Sequence, residues 1–110
     1  MADAWGIYFI DLGVPIGHEQ GYERPAILVR SIHNVGIILP LTTRTDDLNR
    51  FSYTLRINRG ANNKLTADSV ALLFQIRAID ARRIGRNMGN LDRMQIEIIK
   101  TQLKDLLNPE

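Results

Sequence analysis

Short apolar stretches recur along residues 6–76, separated by clusters of glycine, asparagine and proline, and this pattern predicts a series of β-strands. At positions 51, 53, 55 and 57 apolar residues alternate with polar ones, as in a strand with one solvated face. The other stretches are continuous apolar runs, which are typical of buried strands. The predicted strands are residues 6–12, 25–29, 37–41, 51–57 and 69–76.

The segments between these strands read as loops and turns. Residues 13–21 hold three glycines and a proline, residues 31–36 contain the turn-forming pair His33-Asn34, and residues 58–63 form a polar turn cluster. Residues 79–86 are predicted to be a short connector that carries Arg82 and Arg83.

A helical period replaces the strand pattern near the end of the chain. Asp92 precedes Gln95 by three residues, which resembles the spacing of a capping box. Asn108-Pro109 is expected to end the helix. The apolar stripe of this helix consists of Ile96, Ile99, Leu103 and Leu106, widened by Ile98 and Leu107.

About five short strands followed by one helix predict a mainly β fold, a small barrel closed or covered by the C-terminal helix. The length of 110 residues, without an internal repeat or linker, indicates a single domain over residues 1–110.

Composition narrows the chemistry that this domain can perform. Cysteine is absent, which excludes disulfides and cysteine-based catalysis and suits a reducing cytoplasm. With only two histidines, a histidine-rich metal site is not expected. No apolar run is long enough to span a membrane, and the N-terminus does not resemble a signal peptide.

The net charge of +2 is unevenly distributed along the chain. Residues 44–86 carry nine basic residues against four acidic ones, and eight of the nine are arginine, whose planar head suits phosphate. Such an excess is either a solvated basic face or a surface that contacts nucleic acid.

Polar chemistry is concentrated in the first long loop, where His18, Glu19, Glu23 and Arg24 lie within seven residues. Pro25 restricts the backbone of Arg24, so that this arginine enters the second strand at a defined angle. The alternative is that Arg24 merely pairs with a neighbouring carboxylate on the surface.

Two further polar groups lie at strand ends. Thr42 and Thr43 follow the third strand, where hydroxyls can bind a phosphate oxygen or simply form a turn. Arg77 and Asp80 close the last predicted strand, and we expect them to be structural, as members of an internal ion pair. No nucleotide-binding, serine-hydrolase or zinc-protease motif is present.

Taken in order, these segments resemble the MazF/PemK/Kid toxins of type II toxin–antitoxin systems. The resemblance covers nearly the whole chain. The segments that carry it are residues 7–12, 17–21, 24–29, 40–43 and 68–80, and the helix from Leu91 onward.

This resemblance implies an SH3-like barrel, a homodimer, cleavage of single-stranded RNA without a cofactor, and neutralisation by a cognate antitoxin. It implies catalytic roles for Arg24 and Thr42, and for His18 by similarity to the Kid branch. We expect Glu19, Gln20, Thr43 and Gln75 to contact the substrate. Three departures stand out: Leu72 and Phe74 replace the late-strand Arg and Asp of the Kid branch, the 31–35 connection is short, and residues 4–6 differ from the usual N-terminal turn.

In the mechanism that we expect, the 2′-hydroxyl of the RNA attacks the adjacent phosphorus. His18 is the first candidate for the base, since histidine exchanges protons near neutral pH, and Glu19 is the second. Arg24 stabilises the charge on phosphorus and Thr42 holds a non-bridging oxygen. DNA, which lacks the 2′-hydroxyl, should survive.

Two other hypotheses remain open from the sequence. The CcdB toxins share this fold but inhibit DNA gyrase without cutting RNA. A catalytically inactive relative that only binds an antitoxin is the other possibility, and the atypical residues Leu72 and Phe74 keep it open.

Overall fold

The computed structural model describes residues 3–109. Seven antiparallel strands and two helices follow one another, with 3₁₀ turns on either side of β6. The strands are β1 (Gly6–Asp11), β2 (Glu23–Ile32), β3 (Val35–Thr42), β4 (Thr54–Ile57), β5 (Ser69–Leu72), β6 (Arg77–Asp80) and β7 (Ile84–Asn90). The helices are α1 (Asp47–Arg50) and α2 (Arg93–Leu106), and the 3₁₀ turns are Leu73–Gln75 and Ala81–Arg83.

The strands form one sheet in the order β4-β5-β3-β2-β1-β7, with β6 also paired to β3. β3 is shared along its length: its first half pairs with β6 and its end pairs with β5. The turn Leu73–Gln75 therefore leaves the sheet beside the middle of β3. Among residues 3–109 no ladder joins β4 to β7, so the sheet is not closed; a single bridge between Asn63 and Gly89 links the two ends.

Buried apolar side chains lie on both faces of the central strands. In β2, Ile27 belongs to a cluster that includes Ile99 and Leu103 of α2. Its neighbours Ala26 and Leu28 belong to a second cluster on the opposite face. This two-sided burial explains why β2 and β3 appear in the sequence as continuous apolar runs rather than as alternating ones.

The C-terminal helix has the predicted cap. The Asp92 side chain accepts a hydrogen bond from the Gln95 backbone N–H at 2.8 Å, and the Gln95 side chain accepts one from the Asp92 N–H at 2.9 Å. The helix ends at Leu106, before Pro109, as expected. The mainly β class with a C-terminal helix is thus confirmed. No helix in the described part of the chain is long and apolar enough to cross a membrane.

Several predicted boundaries are wrong. The strand predicted at residues 69–76 ends at Leu72 and gives way to a 3₁₀ turn. The predicted connector at 79–86 contains the end of β6 and the start of β7. β7 was missed because its side chains are mostly polar or absent and largely exposed, which leaves no apolar period to detect. The strand predicted at 51–57 begins only at Thr54, after the short helix α1.

Candidate active site

The loop between β1 and β2 is held in shape by its own hydrogen bonds. At its base, the Leu12 N–H donates to the Tyr22 carbonyl and the Tyr22 N–H donates to the Gly13 carbonyl, at 2.9 and 2.6 Å. Farther out, the Glu19 carboxylate accepts a hydrogen bond from the Ile16 N–H at 3.0 Å. One oxygen of Glu19 thus stabilises the loop, whatever else this residue does.

Arg24 emerges from this loop as the second residue of β2 and is partly buried. Its Nε donates a 2.8 Å hydrogen bond to the Gly21 carbonyl, and its Nη1 donates to Oε1 of Gln20. Within residues 3–109, Arg24 forms no salt bridge, so the surface pairing with Glu19 or Glu23 is not what the structure shows. Burial lowers the pKa of Arg24 from its ordinary value. The site thus holds an oriented cation that forms no salt bridge with the carboxylates of the described residues.

Gln75 connects this loop to the 3₁₀ turn after β5. Its Oε1 accepts a hydrogen bond from the Gln20 N–H at 2.9 Å, and its Nε2 donates to the His18 carbonyl at 3.1 Å. Both ends of the Gln75 amide are therefore committed to the loop. Since the Gln20 side chain in turn accepts from Arg24, the three residues form a chain of contacts that orients the guanidinium.

Thr42 ends β3 and is buried, with an exposed fraction of 5%. Its Oγ1 accepts a hydrogen bond from the Arg44 N–H at 3.2 Å, which leaves the hydroxyl hydrogen for another acceptor. The ladder between β2 and β3 ends at Ala26 and Pro40, before it reaches Arg24 and Thr42. Thr42 pairs instead with Val70 of β5, and Thr43 is exposed.

The expected ion pair between Arg77 and Asp80 is wrong. Asp80 instead bonds Arg82 in two parallel contacts of 3.0 Å and also accepts from the Arg82 N–H, which lowers the pKa of Asp80 to about 2. Asp80 is the N-cap of the 3₁₀ turn Ala81–Arg83, and Arg82 lies within that turn, so the two side chains are close and pair locally. Arg77 forms no salt bridge in the described part of the chain and lies partly buried in β6.

A cleft of about 390 Å³ lies between the loop and the 3₁₀ turn. It brings His18 and Glu19 together with Arg77, for which the sequence predicted a purely structural role. Arg24, Thr42 and Thr43 do not line it; Arg24 is connected to it only indirectly, through Gln20, whose N–H bonds the lining residue Gln75. Of the two atypical late residues, Leu72 is buried and Phe74 reaches the cleft. The lining residues are His18, Glu19, Phe74, Gln75, Ile76 and Arg77.

Arg77→Ala should leave the melting temperature within a few degrees of wild type, since no ion pair is lost. If the cleft binds single-stranded RNA, as the resemblance in sequence implies, the variant should weaken that binding and reduce the slope of log affinity against log salt by about one, as expected for one lost phosphate contact. Binding titrations at several salt concentrations measure this. Arg59→Ala, at the opposite end of β4 from the 3₁₀ turn, is the charge-matched control, and equal effects of both variants would contradict the prediction.

Within residues 3–109, no three His, Asp or Glu side chains lie close enough together to hold a metal ion. The cleft itself contains the imidazole of His18, the carboxylate of Glu19 and the guanidinium of Arg77, and a guanidinium is a side chain that binds phosphate.

Comparison with known proteins agrees with this fold. A family model described as PemK-like, MazF-like toxin of type II toxin–antitoxin system matches residues 3–107. MazF from Deinococcus radiodurans is similar in structure, with a TM-score of 0.77 and 21% identity over 98% of this chain and 97% of that one. The Mycobacterium tuberculosis toxin MazF-mt6 has a TM-score of 0.73 and 17% identity over 96% and 98% of the two chains.

A mycobacterial endoribonuclease in complex with its cognate antitoxin is also similar, with a TM-score of 0.71 and 19% identity over 100% of this chain and 99% of that one. No curated protein matches the chain. At these identities the structural likeness shows the fold, and the family model shows the relationship.

Proposed function

The chain belongs to the family of PemK-like, MazF-like toxins of type II toxin–antitoxin systems, and on that premise we propose that it is an endoribonuclease that cuts single-stranded RNA without a metal ion. Its substrate in the cell is mRNA in the cytoplasm, and cutting it stops translation and growth. The observation that carries this proposal is Arg24, a cation without a salt bridge among residues 3–109, oriented by Gln20 and Gly21 at the end of the loop whose His18 lines the cleft.

The reaction is a transfer within the RNA chain. The 2′-oxygen forms a bond to the neighbouring phosphorus as the bond from phosphorus to the 5′-oxygen breaks, and the base takes the 2′-hydroxyl proton. The departing 5′-oxygen gains a proton from water in the open cleft. The products carry a 2′,3′-cyclic phosphate and a 5′-hydroxyl. Because the nucleophile is part of the substrate, the protein has to position the RNA, take up the 2′-hydroxyl proton and stabilise the charge on the phosphate.

The roles of Arg24 and His18 have support in the geometry. Arg24 offers its remaining N–H groups to the non-bridging oxygens, where negative charge grows in the transition state. His18 projects from a loop whose backbone Gln75 fixes, so its imidazole is held near the cleft without being buried. The Thr42 hydroxyl retains a hydrogen that it can donate, but Thr42 is buried and does not line the cleft, so its role rests on the resemblance to the family.

Purified protein should cut single-stranded RNA in the presence of EDTA and leave DNA of the same sequence intact. Gel electrophoresis of end-labelled substrates measures both, and treatment of the products with acid or phosphatase identifies the cyclic phosphate. Strict dependence on added Mg²⁺ would contradict the mechanism. Absence of any cleavage would favour the two other hypotheses, gyrase inhibition or antitoxin binding alone.

A cognate antitoxin is the proposed protein partner. The structural neighbours include a MazE–MazF complex from Deinococcus radiodurans and the mycobacterial endoribonuclease with its antitoxin. An antitoxin that reached the cleft would compete with RNA for Arg24 and Arg77, and acidic side chains would suit those two cations.

We expect the protein to be a homodimer, with a mass in light scattering of twice 12.5 kDa at micromolar concentration. The open sheet leaves strand edges that pairing can cover, and large apolar side chains such as Ile32 and Leu107 are exposed on the single chain. A monomeric mass both with and without RNA would rule this out.

A further inference from the structure

Two phenylalanines form an aromatic contact, and one of them lines the cleft. Phe74 lines the cleft beside His18, and Phe51 follows helix α1. Their ring centroids are 5.1 Å apart and their planes are inclined by 43°, which is a favourable arrangement for two aromatic rings. Phe51 is 41% exposed and Phe74 is partly buried, so solvent reaches both rings and reaches Phe51 more freely.

The backbone on both sides of this pair is firmly held. The Phe51 N–H donates to the Asp47 carbonyl at 3.1 Å, which fixes the end of α1. Phe74 lies between Leu73, which is fully buried, and Gln75, which forms hydrogen bonds with the loop between β1 and β2. The Leu73 N–H also donates to the Tyr53 carbonyl at 2.9 Å. The rings are therefore attached to rigid segments of backbone. Little conformational entropy is lost when a ligand stacks on them, because they are already largely ordered.

The charges around the pair indicate what it binds. The guanidinium of Arg50 lies 5.2 Å from the centroid of the Phe51 ring. On the cleft side of Phe74, Arg77 is a cation without a salt bridge among the described residues, and Arg24 lies beyond Gln20. An aromatic ring with cations nearby matches a nucleotide, whose base stacks on the ring while its phosphates meet the arginines.

We propose that Phe51 and Phe74 form a stacking subsite for one nucleobase of the RNA, next to the phosphate that Arg24 engages. This rests on the proposed function and adds to it a site that selects the conformation of the substrate. Stacking requires an unpaired base, so the subsite favours single-stranded over double-stranded RNA. It is tolerant of base identity, because every base offers a π-face.

The test pairs a change in the protein with a change in the RNA. The substrate is a short RNA with a 2′-O-methyl group at the cut nucleotide, which blocks cleavage, and an abasic nucleotide is placed at each position in turn. With wild-type protein, one abasic position near the cut should weaken binding by about 5- to 100-fold. Phe74→Leu should bind the intact RNA weakly and lose little more at that same position, because the stacking partner is already gone.

Three variants complete the design. Phe74→Tyr keeps the ring and should keep wild-type binding. Phe9→Leu is the matched control, since Phe9 also has an arginine over its ring, Arg86 at 4.8 Å, but it lies away from the cleft. In cleavage of unmodified RNA, Phe74→Leu should raise KM with kcat nearly unchanged, as expected for lost binding rather than lost chemistry.

The outcomes separate this proposal from the proposed function. If wild-type protein cuts RNA but each abasic position affects wild type and Phe74→Leu equally, the subsite is overturned and the nuclease stands. If wild-type protein neither cuts nor binds RNA, both fail. If Phe74→Leu binds RNA normally but sediments as a monomer where wild type is a dimer, the aromatic pair belongs to an interface between copies of this chain.

Discussion

Replacing Arg24 with alanine should lower the single-turnover rate of RNA cleavage by about 10²–10³-fold, the usual effect of removing one donor to a developing oxyanion. The physical reason is the position of the guanidinium: Gly21 and Gln20 orient it in advance, and no salt bridge within residues 3–109 neutralises its charge. It can therefore stabilise the charge on phosphorus without first reorganising.

Two comparisons make this prediction specific. Arg24→Lys keeps the charge but loses the planar fork, so it should be impaired less than Arg24→Ala. Thr42→Val removes a single neutral hydrogen bond and should fall between wild type and Arg24→Ala. Arg30→Ala, on the exposed far end of the same strand, controls for charge alone.

Rates should be compared only among folded variants with matched melting temperatures, since Arg24 also makes two hydrogen bonds that its loss would remove. Cleavage by Arg24→Ala at nearly the wild-type rate would contradict the proposed catalytic role of Arg24. Gyrase inhibition or antitoxin binding would then be the better hypotheses.

Replacing His18 with alanine should lower the cleavage rate by about 10²-fold or more, the range expected when a general base is lost. The side chain is exposed at the cleft while its backbone carbonyl is fixed by Gln75, so the imidazole can reach the 2′-hydroxyl without a large rearrangement of the loop. Single-turnover cleavage of one RNA by wild type and by folded His18→Ala measures this.

Glu19 is the second candidate for the base, and a parallel variant distinguishes the two. Glu19→Gln keeps a side-chain oxygen that can still accept from the Ile16 N–H, so the loop should survive while the carboxylate is lost. Histidine at position 33 provides the control: it lies in the β2–β3 turn with a φ of 50°, which asparagine tolerates, so His33→Asn should cleave normally. A slow Glu19→Gln and a normal His18→Ala would reverse the assignment.

Much of the fold follows from local pattern. Apolar runs predict β1, β2 and β3 because a buried strand needs apolar side chains in unbroken sequence, and Asp92 with Gln95 predicts the start of α2 because a capping box involves only four residues. The loop that carries His18 and Arg24 could also be identified, since several polar groups between glycines and a proline are unusual in so short a segment.

Other features had no local signal. β7 is polar and rich in glycine, so only its pairing with β1 makes it a strand. Asp80 pairs with Arg82 rather than Arg77 because the 3₁₀ turn that begins after Asp80 brings Arg82 close to it. The spacing of residues in the sequence did not predict this turn. This pairing also affects the candidate site. Arg77 has no salt bridge in the described part of the chain, and its side chain lines the cleft.

The sequence by itself thus determined the class of fold, the C-terminal helix and the identity of the principal candidates, Arg24 and His18. Tertiary structure decided how they are held. Gln75 bonds residues 55 and 57 positions away in the chain, and these contacts exist only because the sheet brings the turn after β5 against the first loop. Local periodicity reports which side chains are buried, whereas the orientation of a catalytic group depends on partners that distant parts of the chain supply.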